Sequence, residues 1–204
     1  QMCIRDRSSR IGEIMDQEKI KHAVSELLEA FGEDPQREGL KETPQRVAKM
    51  YAEIFASLNH QPEDFSNYKT FHVDDQPEMV LIQQIPFYSM CEHHLLPFFG
   101  NVSVAYVPRD GKVIGLSKIP RLVDFVAKKP GMQERLTTEL ANELQRILNP
   151  KGIAIKVAAR HMCMEMRGIN KAGQFTYTSK FTGEFKDDLA LRKEFLMQTK
   201  DLVK

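Results

Sequence analysis

Two short segments rich in sulfur and imidazole, far apart in the chain, constrain its fold more than any other feature of the sequence. The first is Cys91-Glu92-His93-His94, inside Tyr88-Ser-Met-Cys-Glu-His-His-Leu-Leu-Pro97. The second is His161-Met162-Cys163. Thiolate and imidazole are the ligands that suit zinc, so a fold that uses both segments has to bring them to one point. Either segment alone reads equally well as a buried cysteine beside satisfied histidines, because cysteine often serves as a small apolar core residue. The pair together favours a metal.

His161 and Cys163 are expected two apart on a strand, with side chains on one face. Cys91, His93 and His94 are expected in a loop between strands, free to take ligand geometry. Structural zinc sites close all four positions with protein, mostly cysteine, whereas catalytic sites keep one for water, whose pKa zinc lowers to about 7. Two cysteines and a surplus of histidines fit the second kind. The spare histidines would then be acid–base groups that titrate near neutrality. Spacing alone does not say which histidine binds the metal.

The surrounding elements are legible in outline. Ile20, Val24, Leu27, Leu28 and Phe31 recur at helical spacing, with Gly32 just past the end. Thr43 is expected to cap a second helix with Pro44 at its first position. Strands are expected over 79–86, 101–107 and 113–116, with Asp110-Gly111 as a hairpin turn. Ser117 is expected to cap a helix carrying Ile119, Leu122, Val123 and Val126. Pro130-Gly131 breaks it, and a longer helix runs over 132–148. Strand-like runs follow over 153–166 and 175–185, then a helix over 187–202 with Leu191, Phe195 and Leu202 on one face. Strand, strand, helix, helix, strand, strand with helices before and after implies an α+β fold on an antiparallel sheet.

At 204 residues the chain is expected to form one domain over 16–204, with a helical part over 16–75 and a strand-bearing part over 76–204. Residues 1–15, which include Cys3, are expected to be a tail or an assembly scar. A formal net charge of +1 gives no global field that favours nucleic acid or an anionic membrane. No apolar run approaches a membrane span. Three cysteines with no secretory leader suggest a reducing, cytoplasmic compartment.

An anion site must therefore be local. Ser117-Lys118-Ile-Pro-Arg121 opens a helix, where free amides and the dipole favour phosphate; the same spacing also describes an ordinary solvated basic turn. Arg167, just after the His-x-Cys segment, could add a third cation. Glu134, beside Gln133, is either a common first-turn residue or a carboxylate able to accept from the N1–H and amino group of guanine.

These motifs, with Val113-Ile-Gly-Leu-Ser-Lys-Ile-Pro-Arg121, Gln133-Glu-Arg-Leu-Thr137, His161-Met-Cys-Met-Glu-Met-Arg-Gly168 and the upstream Thr43-Pro-Gln-Arg-Val-Ala-Lys-Met50, resemble GTP cyclohydrolase I in order and spacing over roughly 20–196. The resemblance implies the tunnelling fold and a ring-shaped homodecamer with active sites at subunit interfaces. It implies a hydrolase that converts GTP and water to formate and 7,8-dihydroneopterin triphosphate, the first step toward folate or tetrahydrobiopterin. It implies one zinc per subunit on Cys91, His94 and Cys163, and acid–base roles for His93 and His161. It implies contacts to the ribose triphosphate from Ser117, Lys118, Arg121 and Arg167, with Arg46 and Lys49 adding more, and guanine contacts from Gln133 and Glu134. It names no regulatory partner. Lys180 and Glu184 stand where the family more often has small or apolar residues. A zinc nucleobase deaminase would need His-x-Glu and Pro-Cys-x-x-Cys, and both are absent. A non-catalytic binding module would not need His93, His161 and Glu134 together.

Overall fold

A computed structural model describes residues 15–66 and 68–200. Residues 1–14 with Cys3, and Leu202, lie outside the described residues. The chain divides into two compact units, one up to Asn59 and one from His60 onward.

The first unit is a pair of helices. Helix α1 spans Gln17–Ala30, and Asp16 caps it by accepting from the Lys19 N–H at 2.8 Å. Gly32 takes φ +85° just past its end, a left-handed conformation that glycine adopts without strain. Helix α2 spans Thr43–Ile54. Thr43 is its first helical residue and not the expected cap, because the chain already turns before it. The Thr43 N–H donates to Leu40 O at 2.9 Å, and the preceding Glu42 is itself helical. Pro44 sits in the first turn, where a missing N–H leaves no bond unmade.

The second unit holds a five-stranded sheet. Strand β1 covers Thr70–His72, β2 Val80–Cys91, β3 Pro97–Val107 and β4 Lys112–Ile114. Helix α3 (Lys118–Ala127), the two-residue strand β5 (Pro130–Gly131) and helix α4 (Gln133–Leu148) follow. Strand β6 (Gly152–His161), the short α5 (Met162–Glu165), β7 (Thr176–Gly183), α6 (Glu184–Asp187) and α7 (Leu189–Gln198) complete it. The sheet order is β5-β2-β3-β6-β7. The β2–β3, β3–β6 and β6–β7 pairs are antiparallel, but β5 joins β2 in parallel, so the sheet is mixed and the expected wholly antiparallel sheet is corrected. Asp110 and Gly111 take φ of +51° and +70°, as a tight turn requires. That turn does not zip β4 onto β3. Beyond one bridge at Arg109 and Lys112, β4 pairs with β1 to form a separate two-stranded sheet.

Alternation along the strands divides the core. Phe98, Val102, Val104, Tyr106, Ile153, Ile155 and Val157 face Leu122 and Val126 of α3 and Leu136, Leu140 and Leu144 of α4. The intervening Ala105, Val107 and Ala154 pack with Phe185 and Phe195 from α6 and α7 on the other face. Phe87 meets Phe98 edge-on at 5.8 Å, a geometry that adds about 0.5–1.5 kcal/mol beyond area burial. Lys180 and Glu184 are both exposed, so the core asks nothing of them. Among the described residues, no helix is long and apolar enough to cross a membrane.

Strands β3 and β6 approach closely at Gly100, where a Cβ would stand 1.9 Å from Ala158 O. Gly100→Ala is therefore expected to cost at least about 3 kcal/mol, the upper range for overpacking against immovable backbone. Denaturant midpoints of the two proteins measure it, and an unchanged midpoint would show that the strands separate freely there.

Candidate metal centre

Cys91 is the last residue of β2, not the loop residue expected from the sequence. Its N–H donates to Leu96 O at 2.8 Å, and its carbonyl accepts from Leu95 N–H at 2.9 Å. Leu95 takes φ +51° to close this turn. On the opposite edge Cys91 pairs with Gly131, and the Glu92 N–H donates to Gly131 O at 3.1 Å. His93 and His94 ride on the loop so formed, with Glu92 held by Arg135 at 2.9 Å. The short β5 therefore pins the cysteine end of β2 and leads within two residues into the start of α4, where Gln133 and Glu134 stand.

The second segment also differs from expectation. Strand β6 ends at His161, and the chain winds into α5. His161 and Cys163 are therefore not the same-face strand pair that spacing suggests. A helical turn rotates each residue by about 100°, which carries Cys163 toward Cys91. His161, paired with Phe98 across β3–β6, stays on the sheet and stacks its ring on Phe98 at 5.0 Å and 2°. The turn is braced from outside: Arg160 forms two hydrogen bonds to the mostly buried Glu165, at 2.8 and 2.5 Å, and Lys171 N–H reaches Met164 O.

Among the described residues, Cys91, His94 and Cys163 form a group whose ligand atoms all lie within 4.8 Å of one another. Cys91 Sγ is 3.9 Å from His94 Nδ1. Ligands about 2.0–2.3 Å from one ion at tetrahedral angles stand about 3.5–4 Å apart, so the set fits zinc with little contraction. Two thiolates and one imidazole suit zinc chemically as well. His93 comes within 3.6 Å of Cys91 Sγ through Nδ1 but is not a member of the mutual group. Burial, then the neighbouring Cys91, pushes the Cys163 thiol up, so a metal must displace a proton to bind there. Arg167 donates to His94 Nε2 at 2.7 Å; a guanidinium only donates, so this nitrogen is the acceptor.

His161 sits half-buried beside the group. Burial lowers its pKa, and the carboxylates of Glu134 and Glu165 oppose that from nearby. Its Nε2 lies 2.8 Å from Gln133 Oε1. Gln133, expected at the guanine, is 1% exposed. Its amide nitrogen donates to Thr176 O and Thr178 Oγ1 at 3.0 Å and to Val157 O at 3.3 Å. Glu134, one residue on, is exposed. Ser117, Lys118 and Arg121 stand together at the start of α3; Ser117 is exposed and makes no side-chain cap, contrary to expectation. Arg46, paired with Glu42 at 2.5 Å, and the exposed Lys49 belong to the N-terminal unit. Phe98, Thr178, Arg160 and Glu165 are supports the sequence did not suggest. Strand register and the α5 turn place them, and neither leaves a mark in composition.

Metal removal should leave Cys91 and Cys163 free to oxidise together, since their sulfurs stand within the same 4.8 Å. Thiol counting after chelation and mild oxidation should lose both at once and recover both with reductant. Three thiols persisting, Cys3 included, would show that they are held apart.

A sequence profile of the GTP cyclohydrolase I family matches residues 20–200. The GTP cyclohydrolase 1 of Lactiplantibacillus plantarum is 61% identical over 90% of this chain and 96% of its own length. That of Latilactobacillus sakei is 54% identical over 90% and 97%, and that of Bacillus subtilis 51% identical over 91% and 97%.

Proposed function

The chain belongs to the GTP cyclohydrolase I family of enzymes, and on that premise we propose that it converts GTP and water to formate and 7,8-dihydroneopterin triphosphate. This is a zinc-dependent first step toward folate or tetrahydrobiopterin, and its thiol ligands suit the reducing cytoplasm. The observation that carries the reading is the Cys91–His94–Cys163 group beside a braced His161, at the positions the family motifs lead one to expect. Those three residues would hold one zinc per subunit, which supplies Lewis acidity to a water in the remaining position.

The rest is work for the side chains. Glu134 accepts from the N1–H and amino group of guanine and so fixes the base, with Gln133 buried beneath it. His161 and His93 move protons at the imidazole half of the base; protonating a ring nitrogen makes C8 more electrophilic, and C8 leaves as formate. Ser117, Lys118 and Arg121 receive the triphosphate at the start of α3, with Arg46 and Lys49 adding charge. Arg167 donates to His94 Nε2 in this structure; a metal held by His94 Nδ1 would put the ring hydrogen on Nε2 and leave this guanidinium for the phosphates. The working assembly is a ring-shaped homodecamer whose active sites lie between subunits.

Purified protein is expected to carry about one zinc per chain and to release formate from GTP, with a pterin that fluoresces after oxidation. Tight GTP binding without formate would identify a non-catalytic binding protein instead.

A further inference from the structure

Gln133 and Thr178 do more in this structure than line a site. Thr137 Oγ1 lies 2.8 Å from Gln133 O, and a carbonyl only accepts, so the Thr137 hydroxyl hydrogen is committed to it. Thr178 Oγ1, 2.7 Å from Thr137 Oγ1, must then supply the hydrogen between the two hydroxyls. That leaves a Thr178 lone pair for the Gln133 amide nitrogen at 3.0 Å, which also meets Thr176 O and Val157 O. The orientation of the Gln133 amide is thereby set. Turning it over would press Oε1 against two carbonyl oxygens inside a nearly closed space and leave three acceptors unmatched. With Nε2 committed to the strands, Oε1 is the atom that faces His161 Nε2 at 2.8 Å. Oε1 only accepts, so His161 Nε2 carries a hydrogen.

We infer that Gln133 and Thr178 are positioning residues that act through His161: they hold its ring in place as the Nε2–H tautomer and leave Nδ1 as the bare nitrogen. The inference rests on the enzymatic reading above and assigns Gln133 a role other than base contact. The Phe98 stack fixes the plane of the ring; the Thr137–Thr178–Gln133 chain fixes which of its nitrogens is bare.

The test compares zinc-loaded wild type with Gln133→Met, Thr178→Val and Thr178→Ser. Gln133→Met and Thr178→Val should lower kcat for formate release, by about 10²-fold for the former, the scale of a misplaced acid–base group, with KM for GTP and zinc content unchanged. Thr178→Ser, which restores the hydroxyl, should recover most of kcat. Nitrogen-15 spectra of histidine-labelled wild type should assign hydrogen to Nε2 of His161. If Gln133→Met fails to fold, the Thr178 pair carries the comparison. A rise in KM at constant kcat would return Gln133 to the base contacts and overturn the inference, as would an Nδ1–H tautomer in wild type. Wild-type protein that releases no formate would instead overturn the enzymatic reading on which it stands.

Discussion

His161→Ala should keep its metal and stop releasing formate. The two halves of this expectation come from different parts of the structure. His161 is outside the Cys91–His94–Cys163 group and is held by Phe98 and Gln133, so its removal takes no ligand away. It is also the half-buried imidazole beside that group, and in the acid–base role proposed for it its loss would cost about 10²–10⁴-fold in rate. Burial lowers its pKa, against the opposing carboxylates of Glu134 and Glu165. Metal analysis and formate release on the same preparation check both halves. Metal lost together with activity would make His161 a ligand and the present assignment wrong.

Cys163→Ser should fail in the opposite order, losing metal first and activity as a consequence. Serine offers a neutral oxygen where the proposed zinc site needs a soft thiolate, and one of the three proposed ligands would be gone. A metal that binds only the folded chain adds about 2.7 kcal/mol of stability at a hundred times its dissociation constant. A chelator should therefore lower the melting temperature of the wild type and leave that of Cys163→Ser unmoved. Cys91→Ser should behave alike. A variant that keeps stoichiometric zinc and chelator sensitivity would place the metal elsewhere.

Much of this arrangement was legible in the residues themselves, and the misreadings share a cause. The stripes of α3 and α4 are periodic, and each core position named there on α3 is buried. The strand expected over 79–86 runs on to Cys91. Because β5 covers only Met90 and Cys91, the strand is an open edge at Pro86, where proline is tolerated. Beyond it Phe87, Ser89 and Cys91 continue the alternate burial. The strand-like run expected over 153–166 stops at His161. What ends β6 is a pair of contacts, Arg160 with Glu165 and Lys171 with Met164, and these exist only once the chain has folded back. Likewise cysteine and histidine announce a metal by their chemistry, whereas the commitment of Gln133 to Val157, Thr176 and Thr178 follows from strand register.

The two-residue strand at Pro130–Gly131 has a consequence for how this chain tolerates change in length. It joins the cysteine end of β2 to the first turn of α4, with only Met132 between. One inserted residue at that join would shift the helix start by about 1.5–3.3 Å along the chain, more than a hydrogen bond can absorb. Gln133 would then leave His161, and Glu134 would leave its place beside it. Insertions and deletions among descendants of this sequence should spare 130–133, which acts as the molecule's ruler.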